Sequence, residues 1–334
     1  MSKIFAYPLL IATAIALSLS SVKSAEVEEV AIADQYGIAY LPLTIMKANK
    51  LFEKHLDASG LEDTVVTWST FASGAPATDA LLSGKLHIAA GGPAPFLVLW
   101  DKTRDTLGVK AIAGLSMMPM LLVTNDPNIK SIRDFTEEDR ISLAGAGQSV
   151  QTRILQMASA EEFGEENYNK LAPLFQPLPH PDGLIAFLSG QVTAYMSSPP
   201  FQYQALREPG VHTVLSSYDV TDGPATFVLT WTTSEFRDQN PKTYKAFLEA
   251  NREATEFINA NKREAAEIFL RESGDSSSVD EILEMLEDPD IQITMTPSGT
   301  TIFSEFMFKV GLIDNRPESW KDLYFSDVHS LPGS

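Results

Sequence analysis

The sequence predicts an α/β protein of two lobes, each a mostly parallel sheet flanked by helices. Three observations carry that prediction. Short apolar runs alternate with helical patterns from Val27 onward, turns rich in Gly, Pro and Ser close those runs, and the alternation begins afresh near Leu121. Strands that alternate with helices build parallel sheets, because each helix carries the chain back to start the next strand in the same direction.

Val27 to Ala33 is the first apolar run and reads as a strand, with Tyr36-Gly37 in the loop after it and a helix over Leu41 to Leu51. Thr64 to Thr70 alternates and is rich in β-branched residues, the pattern of a strand. Ser73, Gly74 and Pro76 turn the chain into a helix over Ala77 to Leu82. Leu86 to Ala90 is a strand broken by Gly91-Gly92-Pro93 and Pro95, and Phe96 to Trp100 opens the next helix. In the second block, Leu121 to Thr124 and Ile141 to Ala144 read as strands, followed by a loop through Gly145 and Gly147 and a helix over Val150 to Glu162. Gly183 to Leu188 is a short helix, Val192 to Ser197 a strand stopped by Pro199-Pro200, and Phe227 to Thr232 a further strand. The last third is helical. Asn240-Pro241 starts a helix that continues with apolar residues through Ile258, and Lys262 to Glu272, Asp280 to Leu286 and Thr300 to Val310 follow.

The first residues predict export. Lys3 precedes a run from Ile4 to Val22 without charge, and small residues at Ser24 and Ala25 lead into the acidic Glu26, Glu28 and Glu29. This order is that of a secretory leader over residues 1–24, cut after Ser24. The alternative is an uncleaved anchor, against which Pro8 interrupts a run near the lower limit for a membrane span. No cysteine occurs anywhere, which excludes disulfides, thiolate metal sites, cysteine nucleophiles and lipidation at an N-terminal cysteine. An exported chain without a lipid anchor is expected in the periplasm. The net charge of −19 repels nucleic acid and anionic lipid, so neither is expected as a partner.

Catalytic and metal motifs are missing. None of the five histidines lies three or four residues from another, so no helical metal pair exists. Asp275 to Asp290 is acidic but lacks the glycine and spacing of a calcium loop. Gly145 and Gly147 follow a strand, yet Val150 stands where a dinucleotide loop needs its third glycine. Ser149 lacks the second glycine of a hydrolase elbow. No metal, cofactor or enzymatic activity is expected.

Four loops remain at the carboxyl ends of strands: Tyr36-Gly37, Ser73-Gly74-Ala75-Pro76, Gly91-Gly92-Pro93-Ala94 and Gly147-Gln148-Ser149. Open α/β sheets bind ligands there, where glycine admits close approach and the first helical turn offers unpaired N–H groups. The stretch Phe71 to Gly84 (FASGAPATDALLSG), followed by Ile88 to Phe96 (IAAGGPAPF), resembles the first lobe of ABC-transporter solute-binding proteins for nitrate, taurine and alkanesulfonates. Ile132 to Phe135 with the loop at Gly147 to Ser149, and Ala186 to Val192, resemble the second lobe. Phe303 to Ile313 and Pro317 to Trp320 are similar to the family's tail.

The resemblance implies a type II periplasmic binding protein fold: residues 25–120 plus 223–334 form one lobe, residues 121–222 the other, and the two close on a small molecule. It implies a monomer that delivers its ligand to a permease in the inner membrane. The ligand-binding residues it implies are Tyr36, Gly37, Ser73, Gly74, Gly92, Pro93 and Ala94 from one lobe, and Gln148, Ser149, Pro199 and Phe201 from the other, with Thr226 after the return crossing. Tyr36 and Phe201 equally suit ordinary core positions. Sulfonate-binding members often carry a polar or aromatic residue where this chain has Pro93-Ala94. An enzyme of the same fold, of thiamine-precursor or menaquinone type, and a ligand sensor are the alternative readings. Arg153 stands apart from the resemblance. It lies one turn inside a helix that Ser149 would cap, where a cation faces the positive end of the helix dipole. Either it meets an anion in front of that helix, or it turns away to pair with Glu161 or Glu162.

Overall fold

The computed structural model describes residues 26–145 and 147–334, so the leader expected over residues 1–24 lies outside the described part. The chain runs β1 (Glu29–Asp34), α1 (Leu41–Ala48), α2 (Leu51–Ala58), β2 (Val65–Thr70), α3 (Gly74–Leu82), β3 (Ala89–Gly91), α4 (Pro93–Thr103) and β4 (Lys110–Met117). It continues through β5 (Leu121–Thr124), β6 (Ile141–Leu143), α5 (Val150–Phe163), β7 (Phe175–Pro177), α6 (His180–Leu188), β8 (Ala194–Ser197), α7 (Phe201–Leu206), β9 (His212–Ser216) and α8 (Ser217–Val220). It ends with β10 (Thr226–Thr232), α9 (Ser234–Gln239), α10 (Pro241–Ala260), α11 (Lys262–Ser273), α12 (Val279–Glu287), β11 (Gln292–Ile293), α13 (Thr300–Lys309) and α14 (Trp320–Leu323).

The α/β class stands, and the strands sort by position in the chain. A five-stranded sheet, in the order β7-β6-β8-β5-β9, uses only strands between residues 121 and 216. The strands outside that range form a four-stranded sheet, β11-β4-β10-β3, and the pair β1-β2. A parallel bridge between Ile32 and Ile88 ties that pair to the strand ending at β3. The sheets are mixed rather than mostly parallel. β1 with β2, and β6 with β7 and β8, run parallel, but β5 opposes β8 and β9, and β10 opposes β3 and β4. The reason is topological. β5 and β10 follow the points where the chain passes between sheets, without the long helical crossover that a parallel neighbour requires.

Two elements differ from expectation for local reasons. The helix expected over Leu41 to Leu51 is two helices, α1 and α2, parted at Asn49-Lys50, where Lys50 takes a left-handed φ of 51°. β4 reads poorly as a strand because nearly all its residues are buried, which removes the apolar–polar alternation of a half-exposed strand.

The main core lies around β4 and β10. Trp231 on β10 is fully buried, and the ring of Phe96 on α4 lies 5.8 Å away. Phe52 and Phe247 meet edge-on at 5.6 Å and fasten α2 to α10. Each such side chain contributes about 1.5–3 kcal/mol through burial. A smaller cluster of Val123, Phe187, Val192, Tyr195 and Phe201 packs on the five-stranded sheet. This arrangement fixes where β2, β3, β6 and β7 end, and each of those ends leads into a helix. Among the described residues no helix is long and apolar enough to cross a membrane.

Candidate functional site

The starts of α3, α4, α5 and α6 meet around one small cavity. Ser73 and Gly74 open α3, Gly92 precedes α4, Ser149 and Val150 open α5, and His180 opens α6; all of these line the cavity, with Gln35, Tyr40, Pro95, Ala144, Gln151 and Phe227. It encloses about 30 Å³, room for about two waters where one needs roughly 10–15 Å³. Helix geometry leaves the first-turn N–H groups without intrahelical partners, and the helix dipoles add partial positive charge there. Ser149 Oγ already accepts the Thr152 N–H at 3.2 Å. Pro76, Pro93, Pro95 and Pro181 contribute no N–H. The free donors are therefore few, and their direction is set by backbone.

Close contacts bind the two sides of this cleft. A Cβ at Gly92 would stand 2.9 Å from Val150, and one at Gly145 would stand 2.9 Å from Ser73. Gly37 has φ +100°, and a Cβ there would stand 2.9 Å from the Pro199 carbonyl, which also accepts the Ile38 N–H at 3.3 Å. Only glycine suits that φ without strain. The cleft is thus shut by backbone approach at three glycines.

No side chain lining the cavity is an acid or a cation at neutral pH. Burial raises the Tyr40 phenol far above its ordinary value, with Asp34 adding to the effect. Burial holds the His180 imidazole down to about 4. Its Nδ1 lies 2.8 Å from Ser197 Oγ and its Nε2 lies 3.2 Å from Gln151 Nε2. The Ser197–His180 contact is not a nucleophile with its base, because Ser197 is fully buried and its hydroxyl donates to Tyr195 Oη at 2.8 Å. A neutral buried histidine has a consequence for stability. Between pH 4 and 6.5 the unfolded chain binds the proton that folded His180 refuses, so stability falls as pH drops through that window and the loss is complete below it. The full effect is about 3 kcal/mol, from about 1.4 kcal/mol per pH unit. Urea unfolding at neutral pH and at about pH 4.5 should show His180→Asn losing about 2 kcal/mol less than the parent. Equal losses would mean that His180 protonates freely in the folded state.

The expected site residues separate into groups. Ser73, Gly74, Gly92 and Ser149 line the cavity. Tyr36, Gly37 and Phe201 line a wider neighbouring groove of about 440 Å³, with Leu184, Ile185, Phe269 and Asp275; Gln35 lines both spaces. Pro93 and Ala94 are buried in the first turn of α4, and Pro199 contributes its carbonyl to the contact with Ile38. Gln148 is exposed on the loop before α5. Thr226 is paired with Ser298 through two hydrogen bonds of 2.8 Å. Arg153 does not turn away to pair with Glu161 or Glu162. It is buried, donates to the Gly147 carbonyl at 2.7 Å and bonds Gln156, while Glu162 pairs with Arg133. Burial lowers its guanidinium to about 10, which leaves it charged at neutral pH.

Gln35, Tyr40, Pro95, Ala144, Val150, Gln151, His180 and Phe227 complete the lining, and none of them is among the site residues expected from the sequence. Gln35 adjoins Tyr36, and Gln151 lies two residues after Ser149. His180 follows β7, whose three residues, ending in Pro177, carry too little pattern to mark a strand end. Among the described residues no group of three or more His, Asp or Glu is placed to hold a metal ion.

Residues 174–270 match the NMT1-like family. No curated protein matches the chain by sequence. Among solved structures, the chain is similar to the alkanesulfonate-binding protein of Xanthomonas axonopodis pv. citri bound to MOPS, at 15% identity and a TM-score of 0.68 over 87% of this chain and 96% of that one. It is similar to the periplasmic nitrate-binding protein of Synechocystis PCC 6803, at 16% identity and a TM-score of 0.67 over 92% and 86%. The periplasmic aliphatic sulphonate-binding protein of Escherichia coli matches at 16% identity and a TM-score of 0.64 over 90% and 93%. At these identities the likeness establishes the fold, that of the periplasmic binding proteins.

Proposed function

We propose that this protein is the exported solute-binding component of an ABC importer, which takes a small oxyanion between two lobes and hands it to a permease in the inner membrane. The lobes are residues 25–120 with 223–334, and residues 121–222; the ATP is spent by the partner. One observation carries the reading. Four helix starts, two from each side of the cleft, converge on one cavity without a charged lining side chain. Such a site stabilises negative charge by oriented N–H dipoles and asks for no fixed cation. Arg153 adds to it. A buried guanidinium normally has an acid partner, and no ion pair to Arg153 occurs among the described residues. A negative charge in front of α5 compensates it. The similarity to sulfonate- and nitrate-binding proteins supports the same class. The head group sits in the cavity, and any tail leaves past Gln35 into the wider groove.

A thermal-shift panel tests this with nitrate, taurine, alkanesulfonates, alkylphosphonates, aromatic carboxylates and pyrimidines in a sulfonate-free buffer. A true ligand at 100 times its dissociation constant adds about 2.7 kcal/mol, and small-angle scattering should record a smaller radius of gyration on saturation. Stabilisation by uncharged solutes alone, or by none of the panel, would remove the anion reading.

A further inference from the structure

Hydrogen bonds around His180 fix which ring nitrogen carries its proton. Tyr195 Oη donates to the His180 carbonyl at 2.7 Å, which commits the phenol proton. Tyr195 then accepts the Ser197 hydroxyl proton at 2.8 Å. With that proton committed, Ser197 Oγ can only accept from His180 Nδ1, at 2.8 Å. Nδ1 therefore bears the hydrogen, and Nε2 of the neutral ring is a lone pair. It faces the Gln151 amide at 3.2 Å, the outer limit of an N–H hydrogen bond. His180 is only 8% exposed and its ring stacks on Phe201 at 5.6 Å and 11°, so it is held in place.

No charged group close by changes this assignment. On α6 itself Asp182 is exposed. β8 contributes Tyr195 and α7 contributes Tyr203, both neutral, and β6 has no titratable residue. Arg153 on α5 turns to Gly147 and Gln156. Across the cavity stands Tyr40, with Asp34 near it.

We propose that His180 makes the site select an oxyanion that still carries one acidic hydrogen, whose O–H donates to Nε2 while the helix N–H groups hold its other oxygens. The inference rests on the solute-binding reading and narrows it. A fully deprotonated oxyanion sets an oxygen lone pair against the Nε2 lone pair, or must draw a proton onto a ring that burial keeps neutral. Gln151, which also lines the cavity, turns its amide from Nε2 to a ligand oxygen.

Methylphosphonate monoanion and methanesulfonate differ by little more than that hydrogen, which makes them the probes. Calorimetry at about pH 6 in a sulfonate-free buffer should give methylphosphonate at least tenfold tighter than methanesulfonate. The advantage should vanish at about pH 9, where the phosphonate is a dianion. His180→Asn keeps a donor for Ser197 and has no acceptor at the Nε2 position. It should lose the tenfold preference for methylphosphonate over methanesulfonate. Nitrogen-15 spectra of the ligand-free protein should show hydrogen on Nδ1. Hydrogen on Nε2 would overturn the inference without reference to any ligand. Methanesulfonate binding as tightly as methylphosphonate at pH 6 would overturn it and leave the solute-binding reading intact, whereas binding of neither probe would overturn both.

Discussion

Gly92→Leu is expected to weaken ligand binding about 100-fold, which corresponds to about 2.7 kcal/mol, and to leave the stability of the ligand-free protein within about 1 kcal/mol of the parent. The backbone at Gly92 (φ −74°, ψ 164°) is one that any residue adopts, so the substitution introduces no local strain. Its cost is steric and falls across the cleft, where the new Cβ would stand 2.9 Å from Val150 Cβ and Cγ1. Overpacking of this kind costs about 1–3 kcal/mol, and a clamp avoids it by staying open. Calorimetric titration, with scattering in parallel, should show weak binding and no compaction. Parent-like affinity would mean that α4 and α5 do not approach each other in the bound state.

Trp231→Ala is expected to destabilise the folded protein by about 3–5 kcal/mol, the range for removing a large core aromatic. The indole is fully buried on β10, and Phe96 lies 5.8 Å away. Its rim also supports the loop before α4, since a Cβ at Gly91 would stand 3.0 Å from Trp231 Cη2. The indole N–H has no hydrogen-bond partner among the described residues, so the loss is one of packing alone. Trp231→Phe, which keeps much of that packing, should cost distinctly less in urea unfolding. Comparable losses for the two variants would show that a polar contact of the indole matters.

Much of the fold was legible because punctuation and periodicity agreed. Ser73-Gly74 before α3, Gly91-Gly92-Pro93 before α4 and Ser149 before α5 mark real strand-to-helix turns, and the structure gathers them at one cavity. What escaped was the part that local pattern does not encode. β4 is buried along nearly its whole length and so has no alternation, and β7 is three residues long. His180 was therefore a lone histidine beside prolines, although the topology places it opposite Ser73 and Gly92. Arg153 shows the same limit. Helical spacing located it one turn inside α5, but its direction depends on the Gly147 carbonyl and Gln156. The orientation of β5 and β10 likewise follows from where the chain passes between sheets rather than from any residue in those strands.

On the proposed function, uncharged, backbone-oriented donors hold a negative charge between the two sides of the cleft. Methanesulfonate and dimethyl sulfone test it most directly, since they are nearly the same size and differ in charge. Calorimetric titration of each in a sulfonate-free buffer should give the sulfonate at least 100-fold tighter, a difference of about 2.7 kcal/mol. Equal affinities, or binding of the sulfone alone, would rule out an anion site at these helix starts.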